Sequence, residues 1–284
     1  MSTTITPPPP VPPTGGYAPQ PPQPRSTSRV IAILAICLGA VLILGAITTA
    51  AFSAIRAAAV STGTLTADAT GITELDIDVD AAGFRLAYGG DEASLEVTGG
   101  SGSSAWRLDR DGDTLRVHST RPWWGGWNWW GDDERVVLTL PDRYEDTPLD
   151  ASFDLGAGSI TADGTYRELE LDLGAGAMDI TGVAEHVDAE ISAGRASLDL
   201  DEVDTATLSI SAGSMDGELR GPVTALDLDV SAGRMVLTIP DQTYNLDQDV
   251  SAGDLTHDLD TSSSSRNTIT ASVSAGSIDL RPAR

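Results

Sequence analysis

Three sets of residues in this 284-residue chain have the types and spacing to do chemistry. The first is acidic. Asp154, Asp172 and Glu190 recur at steps of 18 residues, followed at similar steps by Ser209, Asp229, Asp249 and Ser272. On strands about 4.8 Å apart these acids would form a carboxylate ladder with mutual repulsion, which calcium could relieve through several carboxylate oxygens. The glycine-rich nonapeptide that cages calcium in other solenoids is absent. A solvated acidic surface is therefore expected, with no metal and no other cofactor. Asp109-Arg110-Asp111-Gly112-Asp113 resembles a calcium loop but lacks the downstream bidentate glutamate, and reads as a hairpin turn.

The second set is aromatic. Trp123, Trp124, Trp127, Trp129 and Trp130 are five of the six tryptophans, held within eight positions around Gly125 and Gly126. An indole has a large apolar face and one donor. That suits plugging the end of an apolar core, docking to a membrane surface or membrane partner, or stacking on a ligand. These five are candidate partner contacts. The third set would be catalytic. His118, His186 and His257 keep no spacing with serine or with metal ligands, and the single cysteine, Cys37, lies in an apolar stretch. Ser192, Ser211, Ser231, Ser251 and Ser274 recur at one position of a repeat, which a nucleophile has no need to do. No catalytic residue is assigned, and the chain is expected not to be an enzyme.

The elements that must position these residues are repeats. Ser-Ala-Gly or Gly-Ala-Gly occurs seven times, centred on Ala157, Ala175, Ala193, Ala212, Ala232, Ala252 and Ala275, at spacings of 18, 18, 19, 20, 20 and 23 residues. A short fixed period makes a protein a stack of units. Two residues before each alanine stand Leu155, Leu173, Ile191, Ile210, Val230, Val250 and Val273. Three residues after it stand Ile160, Met178, Ala196, Met215, Met235, Leu255 and Ile278. The upstream apolar positions step by two, as a strand requires, and the step across the glycine is three. Gly158, Gly176, Gly194, Gly213, Gly233, Gly253 and Gly276 are thus structural corners, where a side chain would clash or the backbone needs unusual angles. No window keeps helical spacing for ten positions, and the leucine-rich-repeat signature is absent. The expectation is an all-β fold, a parallel β-solenoid of about 18–20-residue repeats over residues 150–284. Its last repeat ends at Leu280, so Val273, Ser274 and Ile278 are expected to form an uncovered edge. Such an edge is open to pairing with another chain, including a second copy.

The front of the chain is built differently. Residues 1–29 hold ten of the sixteen prolines within Met1 to Pro24 and read as a disordered tail. Val30 to Ile55 is 26 residues without a charge, enough for one transmembrane helix across roughly 30 Å of hydrocarbon. Arg25 and Arg29 precede it and Arg56 follows, which places the N-terminus in the cytoplasm and the C-terminal domain outside the cell membrane. Residues 56–66 are a linker. Residues 67–149 are a β-rich capping section. It holds an alternating strand before Ala81-Ala82-Gly83, a hairpin around Asp111-Gly112, a strand from Arg135 to Leu140, and the tryptophan segment. After residue 56 stand 42 acids and 14 arginines, a net 14 − 42 = −28, and lysine is absent. Nucleic acid is excluded as a partner by repulsion; basic peptides or basic wall components are attracted.

Val79 to Gly90, the Leu138-Thr139-Leu140-Pro141 strand end and the seven corners together resemble the bacterial putative-adhesin family of β-strand-repeat proteins, over roughly residues 70 to 281. The tail, span and arginine-only basicity are similar to membrane proteins of high-GC actinobacteria. The resemblance implies a membrane-anchored cell-surface interaction module that binds protein or wall components. The alternative it implies is the extracytoplasmic sensory domain of a cell-envelope stress-response system. It carries no catalytic residues to this chain.

Overall fold

Period-two alternation makes one face of each segment apolar, so every segment must find a neighbour that buries it. In the computed structural model, which describes residues 62–99, 102–119 and 134–283, these segments join one 17-stranded sheet. The tail 1–29, the expected span 30–55 and Trp123 to Trp130 lie outside the described residues. Among the described residues no helix is long and apolar enough to cross a membrane.

The N-terminal section holds β1 (Thr62–Ala67), β2 (Glu74–Tyr88), β3 (Ala93–Thr98), β4 (Trp106–Asp111), β5 (Thr114–Ser119) and β6 (Arg135–Leu140). The repeats begin with β7 (Leu149–Leu173), β8 (Ala177–Ile191) and β9 (Arg195–Asp201). They continue with β10 (Thr205–Ile210), β11 (Ser214–Leu219), β12 (Ala225–Val230) and β13 (Arg234–Ile239). Last come β14 (Asn245–Val250), β15 (Asp254–His257), β16 (Thr268–Val273) and β17 (Ser277–Pro282). Each rung is a strand, a corner and a second strand. Rungs pair in parallel and in register along the stack. Among the described residues, antiparallel pairing is confined to β1–β3, β3–β6 and the β4–β5 hairpin.

Parallel registration turns the repeat positions into columns. Val79, Leu155, Leu173, Ile191, Ile210, Val230 and Val273 form one buried ladder, and Phe84, Ile160, Met178, Ala196, Met215, Met235 and Ile278 form the other. At the corners, Ala175 N–H donates to the Gly156 carbonyl (2.9 Å), Ala212 N–H to Ser192 (2.8 Å) and Ala275 N–H to Ser231 (2.7 Å). Corners this close leave no room for a side chain at the glycine. A Cβ on Gly213 would lie 2.4 Å from the Gly194 carbonyl oxygen, and one on Gly276 would lie 2.3 Å from that of Gly233.

Rung order departs from sequence order at both ends. The β5–β6 rung stacks outside β2, which therefore lies between it and β7. At the far end β16–β17 is inserted between β12–β13 on one side and β14–β15 on the other. This corrects the expectation that the last repeat is the uncovered one. Val273 and Ile278 are each only 1% exposed, while Val250 on β14 is 39% exposed.

The physical reason lies in the inward positions of the two rungs. On β16–β17 they are Ile269, Ala271, Val273, Ile278 and Leu280, all buried. In the same register β14–β15 carries Leu246, Gln248, Val250, Leu255 and His257. Burying each large aliphatic side chain contributes about 1.5–3 kcal/mol, so the more apolar rung belongs inside and the rung with glutamine and histidine faces water. A solenoid needs such a polar terminal unit.

Two substitutions and one control substitution check this core. Ile210→Asp buries an unpaired charge between Ile191 and Val230 and should destabilise by about 3–5 kcal/mol in denaturant unfolding. Gly213→Ala should cost about 1–3 kcal/mol by overpacking the corner. Gly89→Ala, whose Cβ meets only a Thr139 methyl at 3.6 Å, should leave the midpoint nearly unchanged.

Candidate functional site

The outward positions of the first strands form an acidic face. One column runs His118, Asp78, Asp154, Asp172, Glu190, Ser209, Asp229, Ser272, Asp249 across successive rungs. A second, two residues upstream, runs Arg116, Asp76, Ser152, Glu170, Asp188, Thr207, Asp227, Thr270, Asp247. In the upstream half of the first column, acid lies on acid. Burial and then the neighbouring Asp172 and Asp78 push the Asp154 carboxyl above its ordinary range. Burial and Asp80 do the same for Asp78, against a smaller opposing pull from His118. Downstream, acids and hydroxyls alternate rung by rung. The inserted rung maintains that alternation, because Thr270 and Ser272 separate Asp227 and Asp229 from Asp247 and Asp249.

The second-strand face is mixed in charge. Arg220 bridges Asp199 and Asp201 at 2.5 Å each and Glu218 at 3.0 Å, and Arg281 pairs with Asp279. On the acidic face, arginine pairing is peripheral: Arg116 holds Asp76 at 2.6 Å and Arg167 holds Asp150. Among the described residues, no arginine pairs with Asp154, Asp172 or Glu190. Nor does any group of three or more His, Cys, Asp or Glu side chains gather closely enough to hold a metal ion. His118, His186 and His257 stand on β5, β8 and β15, on separate rungs.

The open edge of the stack is β14–β15. Asn245 and Ser251 turn their N–H groups to the inner neighbour, donating to Asn267 (2.7 Å) and to Val273 (2.9 Å). By alternation along a parallel strand, Leu246, Gln248 and Val250 turn theirs to the open side. Of the expected edge residues, Ser274 is exposed whereas Val273 and Ile278 are covered. The polarity of Gln248 and His257 at core-phase positions was the signal that marks the true end.

The tryptophan segment lies outside the described residues, and the strands before and after it in the chain are β5 and β6. Residues 120–133 link β5 to β6, where the neighbouring β2 has its short corner. The sixth tryptophan, Trp106, is buried and donates its Nε1 hydrogen to Glu134 Oε1 at 3.2 Å, beside the point where the segment re-enters. Along the turns, a groove is lined by Tyr166, Arg167, Glu185, Glu202, Asp204 and Pro222. Its walls carry unusual backbone: Glu202 has φ 61° and Val223, next to Pro222, has φ 32°. Such conformations cost on the order of 1–3 kcal/mol each.

A family model described as Toastrack DUF4097 matches residues 72–282. No curated protein matches the chain. Several solved structures are similar, among them the following. One is a putative cell adhesion protein from Clostridium sporogenes, 8% identical, covering 79% of this chain and 100% of its own, with a TM-score of 0.39. Another is a putative adhesin from Bacteroides fragilis, 11% identical, covering 78% and 97%, with a TM-score of 0.44. A third is a putative adhesin from Parabacteroides merdae, 15% identical, covering 79% and 96%, with a TM-score of 0.39.

The acidic ladder has a pH signature. A carboxyl raised above its unfolded value destabilises the fold when ionised, and acidification relieves the cost. Asp154→Asn should therefore raise stability at pH 7 by about 0.2–1 kcal/mol, the size of a like-charge cross-strand pair. The gain should vanish below the ordinary carboxylate range, where both Asp154 and its neighbours are protonated. Denaturant midpoints at the two pH values check it.

Proposed function

The chain belongs to the Toastrack family, and on that premise we propose that it is a non-enzymatic, membrane-anchored surface module that holds basic protein or cell-wall partners on its acidic face. One observation carries this reading. Asp78, Asp154, Asp172 and Glu190 are stacked at strand spacing although their repulsion opposes folding. Serine fills the same column at Ser209 and Ser272. The stack thus keeps a charge array that stability alone does not favour. A cationic partner gains from that array through attraction during encounter and through contact afterwards.

In the same proposal, residues 1–29 are a cytoplasmic tail, Val30 to Ile55 a single span, and 56–61 the linker that displays the stack outside the cell; the expected linker end, 62–66, instead lies in β1, paired with β3. The length and lack of charge of the 30–55 stretch support the anchor. The arginines at 25 and 29 support the orientation.

Display and binding have separate tests. With Cys37 replaced by alanine, Ser264→Cys should react with an impermeant thiol reagent on intact cells and Thr3→Cys should not; reaction at Thr3 alone reverses the orientation. In crosslinking from native membranes, Asp154→Asn, Asp172→Asn and Glu190→Gln together should lower partner capture by about tenfold, the equivalent of about 1.4 kcal/mol. Undiminished capture removes the acidic face from the account. Capture that instead depends on the proline-rich tail points to a sensory role with a cytoplasmic partner.

A further inference from the structure

The two rungs that flank β16–β17 each fit that rung and do not fit one another. Asp227 on β12 and Asp247 on β14 both oppose Thr270, and Asp229 and Asp249 both oppose Ser272. The two walls of the slot are therefore in the same register. Were they to meet directly, Asp227 would lie on Asp247 and Asp229 on Asp249. Gln248 would then lie on Leu228 and His257 on Leu237. Like charges opposed across strands are destabilising, whereas on β16–β17 the same aspartates meet hydroxyls. Withdrawal of β16–β17 leaves a gap that its own walls do not close.

What refills the gap is closely specified. It is a strand–corner–strand unit with hydroxyls at two outward positions and aliphatic residues inward. It also needs a glycine at the corner, because a Cβ on Gly276 would lie 2.3 Å from the Gly233 carbonyl oxygen. β10–β11 has similar outward hydroxyls, Thr207 and Ser209, but is held between rungs on both sides. The matching unit that is joined through a long connection is β16–β17. Residues 258–267 lead into it from β15. At roughly 3.3 Å per residue that connection reaches about 33 Å, against a rung spacing of about 4.8 Å.

We propose that two copies of this chain associate by reciprocal exchange of the C-terminal rung, with β16–β17 of one filling the slot between β12–β13 and β14–β15 of the other. The strand contacts of the slot are reproduced in the exchanged pair, and the 258–267 connection changes path; its present bonds, Tyr244 N–H to the Asp260 carbonyl and Ser262 N–H to the Tyr244 carbonyl, and the burial of Leu259 are what the exchange must re-form or give up. The partner is thus a second copy, recognised through its hydroxyl-bearing rung. This goes beyond the surface-binding reading and needs neither the anchor nor a basic partner.

The test uses the full chain in detergent with Cys37→Ala. One copy carries Val236→Cys and the other Asp279→Cys, positions directly opposed between β13 and β17. Unfolded together, refolded at high concentration and oxidised, they should give a covalent heterodimer. Val236→Cys mixed with Asp216→Cys should not, because β11 and β13 stay within one copy although these two positions are also opposed. Removing Ser262 to Ser264 shortens the hinge and should raise the heterodimer fraction by about threefold or more. A single chain carrying both Val236→Cys and Asp279→Cys reports that each background folds, by forming its internal bridge. If that internal bridge forms but no heterodimer appears in either hinge length, the proposal is overturned. It is equally overturned if the Asp216 mixture crosslinks as well as the Asp279 mixture.

Discussion

Corner-to-corner contact governs the rest of this molecule. The Ser-Ala-Gly peptides of successive rungs hydrogen bond directly, as in Ala193 N–H to the Gly174 carbonyl at 2.9 Å and Ala232 N–H to Ser211 at 2.9 Å. The glycines then lie against one another's carbonyl oxygens with no space for a Cβ. Once corners are locked at strand spacing, the side chains two residues upstream and three downstream are forced into columns. An apolar column is a core, and a charged column is a face. The same geometry that buries Ile210 between Ile191 and Val230 therefore sets Asp154 against Asp172 and Asp78. Core cohesion and surface repulsion have one origin.

That shared origin gives charge a say in rung order. In the upstream half of the first column the stack tolerates acid on acid. In the downstream half it interleaves acids with Ser209, Thr207, Ser272 and Thr270. Stacking the last two rungs in sequence order would place four aspartates in direct opposition and enclose Gln248 and His257 within the apolar columns. It would also leave Ile269, Val273, Ile278 and Leu280 beside water. Insertion removes all three penalties together. The N-terminal section obeys the same logic, since β5–β6 covers β2 and is in turn covered by the antiparallel strands β3 and β4.

Much of this was legible in the sequence. Period-two alternation marked the strands, the step of three across each glycine marked the corners, and the Asp111-Gly112 turn marked the β4–β5 hairpin, where Gly112 has φ 66°. Rung order was not legible from the repeat, because the repeat makes every rung an acceptable neighbour of every other. The information lay in exceptions to the pattern. Gln248 stands where Leu208, Leu228 and Ala271 stand in other rungs, and His257 stands where Leu237 and Leu280 stand. Of the candidate contacts, Val273 and Ile278 failed as an exposed edge for this reason. The aromatic set at Trp123 to Trp130 lies outside the described residues, between β5 and β6 in the chain.

Insertion of the last rung is the central claim, and backbone amide exchange read residue by residue tests it most directly. In the inserted order, Thr268 N–H donates to Thr224 and Ser274 N–H to Val230 on one side, while Ser251 N–H donates to Val273 from the other. By alternation, the amides of Ile269, Ala271 and Val273 are bonded toward β14, and those of Leu246, Gln248 and Val250 face solvent. The account predicts slow exchange at the first three and fast exchange at the second three. Slow exchange at Leu246, Gln248 and Val250 with fast exchange at Ile269, Ala271 and Val273 would mean that the rungs stack in sequence order, and would contradict it.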